Sequence, residues 1–158
     1  MAANYFLRVT GGTGESKNSA YTGWTDCESV EWSIDQPSTI ASGGGGGAAI
    51  GNFRELIVTA THDKVMPSIW AKCASGEHIP KVEVAGAKMG GTQMEYMKIE
   101  LSDAMVSSCR LGSQKGDEGT IQYGFMASKV KISYWEQNKD GTKGAASEQE
   151  WDIKKNTK

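Results

Sequence analysis

The stretch that decides the fold runs from Phe53 to Val84 and reads FRELIVTATHDKVMPSIWAKCASGEHIPKVEV. Its first nine residues are rich in β-branched and apolar side chains, which predicts a mostly buried strand. Asp63 can accept the first free amide hydrogen bonds of a helix, and Pro67 suits a first helical turn, where its missing donor is not needed. Gly76 then fits a left-handed helix stop. The pattern predicts a strand, one short helix and a second strand.

The predicted helix has an apolar stripe whose members recur at spacings of three and four: Met66, Ile69, Trp70 and Cys73. We expect this stripe to face the core while Lys72 faces solvent. A single helix of this length is marginal in water, so it has to pack on a sheet. The remaining segments are expected to supply that sheet.

Alternating apolar and polar residues predict the other strands. An opening strand covers residues 4–9, and a second covers residues 27–35. In the second strand one side is apolar (Val30, Trp32 and Ile34) and the other is polar (Ser29, Glu31 and Ser33). We therefore expect its apolar side to cover a core and its polar side to meet water.

Two long strands, residues 94–110 and 121–134, each change the phase of their alternation part-way along. The changes fall near Ser102 and Asp103 in the first strand and near Ala127 and Ser128 in the second. A bulge or break at these points would let the sheet curl into a barrel or pass between two packed sheets. Residues 138–144 predict a hairpin turn, residues 149–153 a closing strand, and residues 154–158 a frayed tail.

The bulk properties predict one domain over residues 1–158. With 17 basic and 19 acidic residues, the charge gives no case for nucleic acid or an anionic membrane as a partner. No apolar run approaches the roughly 20 residues of a membrane span, and the N-terminus lacks the pattern of a signal peptide. We therefore expect synthesis in the cytoplasm and no membrane insertion. The three cysteines are expected to be buried thiols, with a disulfide or a nucleophile as the less favoured reading.

Several patterns could carry chemistry, but each has a simpler structural explanation. The glycine run of residues 43–47 lacks the Lys-Ser/Thr and the helix of a phosphate-binding loop. The pairs His62-Asp63 and Glu77-His78 could supply metal ligands, yet they bracket the helix at opposite ends, and capping explains them more directly. Nothing nearby activates Cys109. We therefore predict no catalytic residue, no metal and no cofactor.

Residues 36–52 have no periodicity and predict a long glycine-rich loop after the second strand. A structureless loop of this length inside a compact domain is commonly either functional or disordered. Ile40 and Ile50 flank the five glycines, and burying their side chains against another surface would be favourable.

Taken in order, these segments resemble the Hcp family, the hemolysin-coregulated proteins of the bacterial type VI secretion system. The matching pieces are Gly14-Glu15-Ser16, Trp32 with Gln36-Pro37, the block V-T-x-x-x-D-K-x-x-P followed by G-x-H-I-P-K-V, and D-A-M-V-S-S from Asp103. The resemblance runs nearly the whole length of the chain. It implies a mainly β fold in which two antiparallel sheets form a small barrel with one helix on its side.

The resemblance also implies a function. Family members form homohexameric rings that stack into a hollow tube, which a contracting sheath expels with a spike at its tip and whose lumen can carry small effector proteins. Such a protein is not an enzyme and is secreted. The long loop is then expected to reach a neighbouring subunit or ring, with these interface residues: Gln36, Pro37, Ile40, Ile50 and Phe53. The candidate lumen face is Ser29, Glu31 and Ser33.

The chain departs from the family pattern in its five consecutive glycines and in Met66, which stands where the family often has serine. Ordering so soft a loop would cost on the order of 1–2 kcal/mol per residue, so we expect it to order only when rings stack. Equal hydrogen-exchange protection in free rings and tubes would contradict this. The alternatives are a monomeric β-barrel or sandwich module that binds a ligand and, more remotely, a hydrolase using His62 or His78.

Overall fold

The computed structural model describes residues 2–37 and 50–158. In this part of the chain there is one helix, α1 (Met66–Ser75), and a set of strands that follow one another along the sequence. The strands are β1 (Ala3–Val9), β2 (Thr25–Glu31), β3 (Ile34–Asp35), β4 (Asn52–Phe53), β5 (Leu56–Thr61), β6 (Ile79–Lys88), β7 (Met94–Gln114), β8 (Asp117–Gln137) and β9 (Lys143–Asp152).

The strands form a closed barrel in the order β5-β2-β1-β6-β7-β8, in which β8 pairs back to β5. β9 extends the sheet beyond the far half of β8, and β3 and β4 make a separate two-stranded sheet. Neighbouring strands are antiparallel throughout these pairings. The predicted mainly β barrel with one helix is confirmed.

The barrel is filled by apolar side chains from all of its strands and from α1. The main cluster includes fully buried residues of β5, α1, β6, β7 and β8, among them Leu56, Ile69, Val82, Leu101 and Tyr123. A smaller cluster lies on the opposite side of β1, where the rings of Phe6 and Tyr21 stack and Trp24 packs edge-on against Tyr21. β1 is therefore covered on both of its faces.

The helix begins and ends close to the predicted residues. Pro67 lies in its first turn, and Gly76 ends it at a φ of 72° while donating its N–H to the Lys72 carbonyl. The predicted capping role of Asp63 is wrong in detail, because the cap residue is Val65 and no side chain caps it. The Asp63 carboxylate instead accepts the N–H groups of Val65 and Glu15, which tightens the turn before the helix.

The prediction that Trp70 faces the core is wrong. Trp70 is 61 % exposed, whereas Ile69 is fully buried. Successive helical residues project about 100° apart, so a contact that buries the stripe of Met66, Ile69 and Cys73 leaves Trp70 outside. The Lys72 side chain, expected in solvent, is largely covered and pairs with Glu77.

The two predicted phase changes lie opposite each other. In the β7–β8 ladder Ser102 pairs with Lys129 and Ala104 with Ala127, so Asp103 and Ser128 fall at the same level. Asp103 has a left-handed φ of 51°. Both strands therefore bend at one corner. Before this corner residues 120–125 of β8 pair with β5, and after it residues 129–137 pair with β9.

Other strand boundaries differ from the prediction. The strand expected over residues 27–35 breaks after Glu31, and Ile34, expected to point inward, is 57 % exposed. The strand expected over residues 53–61 likewise breaks into β4 and β5. β9 begins at Lys143, six residues before the predicted closing strand. The tail after it forms a turn with two backbone hydrogen bonds between Asp152 and Thr157, and its fraying stays a prediction.

Candidate assembly surface

Four strands lie side by side in the order β2, β5, β8 and the second half of β7, and their outward side chains form one continuous surface, which we call the four-strand face. Two cross-strand rows define it: Ser29, Thr59, Gln122 and Arg110 in one, and Glu31, Ile57, Gly124 and Ser108 in the next. The predicted polar side of the second strand lies here, since Ser29 and Glu31 are both exposed. Ser33 follows β2 and is also exposed. Their assignment to a lumen stays a prediction.

The centre of the four-strand face is held by a carboxylate that crosses between strands. Glu55 Oε2 accepts hydrogen bonds from the hydroxyls of Ser107, at 2.5 Å, and Ser108, at 3.4 Å. Gly124 provides the room, because a Cβ at this position would lie 2.5 Å from Glu55 Oε2. The ladder between β7 and β8 shifts register between Val106 and Ser108, so Glu55 ties the irregular part of β7 to the start of β5.

Each outer strand of the four-strand face has an edge without a backbone partner in the described residues. The ladder between β6 and β7 ends where Ile79 pairs with Ala104, and β7 continues to Gln114 with β8 as its backbone partner while α1 packs against it. The ladder between β1 and β2 ends where Tyr5 pairs with Cys27, and β2 continues with only β5 beside it. Unpaired edges of this kind are templates for pairing with another chain.

A groove of about 520 Å³ lies between the β3–β4 pair and the far halves of β8 and β9. Its walls are largely apolar and are formed by Trp32, Ile34, Phe53, Val130, Ile132 and Trp151. Of the predicted interface residues, Gln36 and Phe53 line this groove. Ile50, 69 % exposed, and Pro37 are exposed at the ends of the loop. Ile40 lies outside the described residues, as does the glycine run.

The histidines and cysteines have separate surroundings. His78 Nδ1 lies 2.7 Å from Asp103 Oδ1, whereas the buried Nε2 of His62 has no partner in the described part of the chain. Among residues 2–37 and 50–158 no cluster of His, Cys, Asp and Glu could hold a metal ion. Burial and then Asp26 raise the pKa of Cys27, and burial and then Cys73 raise the pKa of Cys109. All three thiols are free and only partly buried.

The sequence alone did not point to Arg110, to Glu55 or to the two strand edges. Arg110 is the only charged residue between Asp103 and Lys115. The sequence shows this, but it does not show that β7 lacks its β6 partner at this position. The helix found in the described residues is too short to cross a bilayer.

Comparison with known proteins identifies the family. The model of the family described as "Type VI secretion system effector, Hcp" matches residues 6–140. The chain belongs to the Hcp family. Protein hcp1 of Pseudomonas aeruginosa is 32 % identical to it over 161 residues, covering 99 % of this chain and 98 % of the relative.

Solved structures agree with this Hcp assignment. The crystal structure of Hcp1 from Salmonella typhimurium superposes with a TM-score of 0.81 at 26 % identity and covers 99 % of each chain. A structure described as a type six secretion system protein gives a TM-score of 0.92 at 19 % identity, also over 99 % of each chain, and at that identity it supports the fold alone.

The residues that carried the Hcp resemblance have a structural reason in this chain. Gly14 passes so close to β2 that a Cβ would lie 2.5 Å from the Trp24 carbonyl oxygen. Glu15 then exchanges hydrogen bonds with the turn before α1: its N–H donates to Asp63, and its carboxylate accepts the Lys64 N–H. The first loop of this Hcp protein therefore anchors the start of its helix.

Proposed function

We propose that this Hcp protein is the structural subunit of a type VI secretion tube, in which six identical copies close into a ring and rings stack into a hollow tube. The number six comes from the family resemblance. The observation that carries the ring is the pair of unpaired strand edges, one on β7 and one on β2. They lie on opposite sides of one sheet, and a head-to-tail contact between two different surfaces of a chain can close into a ring.

The four-strand face is the surface that we assign to the lumen of the tube. It is rich in small and polar side chains, including Ser29, Thr59, Gln122 and Ser108. Together with Glu31 and Ser33, Ser29 is the part of this face that would contact a small effector protein. A polar wall of this kind suits cargo that has to enter and leave without binding tightly.

The remaining partners follow from the same family reading. A contracting sheath surrounds the tube, a spike stands at its tip, and the chain passes from the cytoplasm to the outside of the cell or into a target cell. The loop residues Gln36, Pro37, Ile40, Ile50 and Phe53 would contact a neighbouring subunit or ring. This role is structural rather than catalytic.

Size-exclusion chromatography with light scattering, followed by negative-stain microscopy, tests the ring. Six copies of 17.0 kDa give an expected mass of about 102 kDa and annular particles on the grid. A species of 17.0 kDa at high concentration, with no annular particles, would contradict the ring.

The second candidate function is a monomeric module that binds a ligand in the apolar groove beside the β3–β4 pair. The specific observation in its favour is the groove itself, which has a volume of about 520 Å³. Its lining includes the large apolar side chains of Trp32, Phe53, Ile132 and Trp151. The mass measurement separates the two candidates, because this module works as a single chain.

A further inference from the structure

The helix α1 lies along the part of β7 that continues past β6. Through β8, the end of β5 is level with Gly112 of β7, and β6 begins with Ile79 opposite Ala104. The helix connects these two levels and packs against β7. A Cβ on Gly76, the residue that ends the helix, would lie 3.9 Å from the end of the Met105 side chain. The two elements therefore share one interface over the length of the helix.

One thiol enters this interface from the helix. Cys73 lies four residues after Ile69, which is fully buried, so both side chains project from the same side of α1. The Cys73 side chain is only partly buried, and it packs against the main core cluster. Its thiol is thus turned toward the barrel while an oxidant in solution can still reach it.

A second thiol enters the interface from the strand. Cys109 pairs with Tyr123 of β8, whose side chain is fully buried. Residues directly opposite each other in an antiparallel pair project from the same face, so Cys109 also points inward. It packs against the same core cluster as Cys73 and is likewise only partly buried. Burial, and then the neighbouring Cys73, raise the pKa of Cys109, which agrees with the closeness of the two thiols.

The third thiol, Cys27, lies on the other side of the barrel. In the closed order β5-β2-β1-β6-β7-β8, the strands β2 and β7 are three strands apart in either direction. Neighbouring strands are spaced by about 4.8 Å, whereas the Cβ atoms of a disulfide are only about 4 Å apart. The Cys27 thiol donates a hydrogen bond to the Thr25 carbonyl of its own strand, at 3.4 Å. The geometry therefore favours one pair of thiols out of three.

We propose that Cys73 and Cys109 form a disulfide that joins α1 to β7 when the protein leaves the cytoplasm. Cytoplasmic thiols are kept reduced, and disulfides form and persist in oxidising compartments outside it. The oxidant belongs to the class of low-molecular-weight disulfides, of which glutathione disulfide is an example. Because the link lies within one chain, it does not depend on the proposed ring.

The reaction is a pair of thiol–disulfide exchanges. The Cys73 thiolate attacks the small disulfide, forms a mixed disulfide with one half of it and releases the other half as a thiol. Cys109 then loses its proton, and its sulfur attacks the Cys73 sulfur and expels the second small thiol. The two protein thiols are oxidised by two electrons, and their two protons end on the two small thiols that the oxidant becomes.

The link would stabilise the exported protein. It closes a loop over residues 73–109, which contains β6 and much of β7. Closing a loop of this length restricts the unfolded chain, so we expect the melting temperature to rise by roughly 5–10 °C on oxidation. The reduced protein in the cytoplasm would lack this stabilisation.

Peptide mapping of the wild type tests the link. The reduced full-length protein is incubated with glutathione disulfide, remaining thiols are blocked with N-ethylmaleimide in denaturant, and the digest is analysed by mass spectrometry without reduction. We expect the peptides of Cys73 and Cys109 to be joined and Cys27 to carry the maleimide. A link that includes Cys27, a link between two chains on a non-reducing gel, or glutathione left on Cys73 without a link would overturn the proposal. Three maleimide-labelled cysteines would overturn it as well.

Three variants separate the link from general oxidation. Cys27→Ser is the matched control, and it should form the link and gain the same rise in melting temperature as the wild type. Cys109→Ser should stop at the glutathione adduct of Cys73, Cys73→Ser should form no link, and neither should gain the rise. Circular dichroism checks that each variant is folded, and the mapping of the wild type decides the proposal if one is not. An equal rise in folded Cys73→Ser and in the wild type would overturn the stabilising role of the link.

Discussion

Gly14 shows how one residue type can be required by a close approach of two backbone segments. An added Cβ would lie 2.5 Å from the Trp24 carbonyl oxygen and 2.7 Å from its carbon. That carbonyl already accepts the Ser16 N–H at 2.8 Å, so it has little freedom to move away. The strain has to be relieved by shifting the first loop from β2.

We expect Gly14→Ala to lower the free energy of unfolding by about 1–3 kcal/mol, the usual cost of forcing an extra methyl into a packed site. Gly51→Ala is the matched control, because its Cβ would meet the Ile34 side chain at an ordinary 3.5 Å. Urea unfolding at one protein concentration measures both, since association adds to apparent stability. Equal midpoints for the two variants would contradict the close approach.

Asp103 combines an unusual backbone conformation with a dense set of side-chain partners. Its carboxylate accepts the Ser128 hydroxyl at 2.6 Å, lies 2.7 Å from His78 and 3.3 Å from Lys154. The Ser128 hydrogen bond, then those of His78 and Lys154, hold the pKa of Asp103 well below its usual range. These contacts join β7, β8, the start of β6 and the C-terminal turn at the corner of the barrel.

Because the folded pKa of Asp103 lies below the unfolded value of about 3.9, the ionised carboxylate stabilises the protein above that value, and this contribution is lost as pH falls toward the folded pKa. Asp103→Asn keeps a residue that tolerates the left-handed conformation but removes the charge. We expect its melting temperature to be lower than that of the wild type at neutral pH, and the difference to shrink below about pH 4. A difference that stays constant in thermal melts down to about pH 3 would rule out the charge as the cause.

At the scale of elements, α1 presents two apolar surfaces and only one of them is covered in the single chain. Ile69 is fully buried against the barrel, while Trp70 is 61 % exposed on the other side. We expect Ile69→Ala to cost about 2–5 kcal/mol of stability, as large cavities do, and Trp70→Ala less than about 1 kcal/mol. Chemical unfolding of the dissociated chain measures both. Equal losses would mean that Trp70 also packs inward.

The helix was predictable because its signals are local: Pro67 at the start, Gly76 at the end and an apolar repeat between them. Which side of the helix faces the barrel was not, because Ile69 and Trp70 are both apolar and adjacent. The choice is made by the surface of β7 on which α1 packs, and that surface exists only after long-range pairing. The same limit explains why the strand expected over residues 27–35 was not divided into β2 and β3.

The candidate site was predictable only in part for the same reason. Alternation placed Ser29 and Glu31 on an exposed side of β2, as observed. The four-strand face and its free edges depend on where the ladders of β6 and β1 stop, and no local pattern records that. Arg110 became meaningful once the ladder between β6 and β7 was found to end at Ala104.

At the scale of the whole molecule, a closed barrel normally removes exposed strand edges, and within residues 2–37 and 50–158 the strands β2 and β7 of this barrel each keep one. β7 and β8 are each 21 residues long and extend past the strands that flank them. The barrel is thus closed around a filled core, but one edge of β2 and one edge of β7 still lack a strand partner in the described residues. If identical copies complete that sheet, its outward side becomes the inner wall of a ring.

That wall can be tested by its accessibility. A cysteine introduced by Ser29→Cys should react with a small maleimide in both free subunits and stacked tubes, but with a maleimide on a large polymer only in free subunits, because the polymer cannot enter the lumen. Lys139→Cys in the β8–β9 turn is the control and should react with both reagents in both states. Cys73 is replaced by serine in both variants, and the thiols of Cys27 and Cys109 give a low background because burial raises the pKa of each. If Ser29→Cys in tubes reacts with the polymer as fast as the control does, the four-strand face is on the outside of the tube.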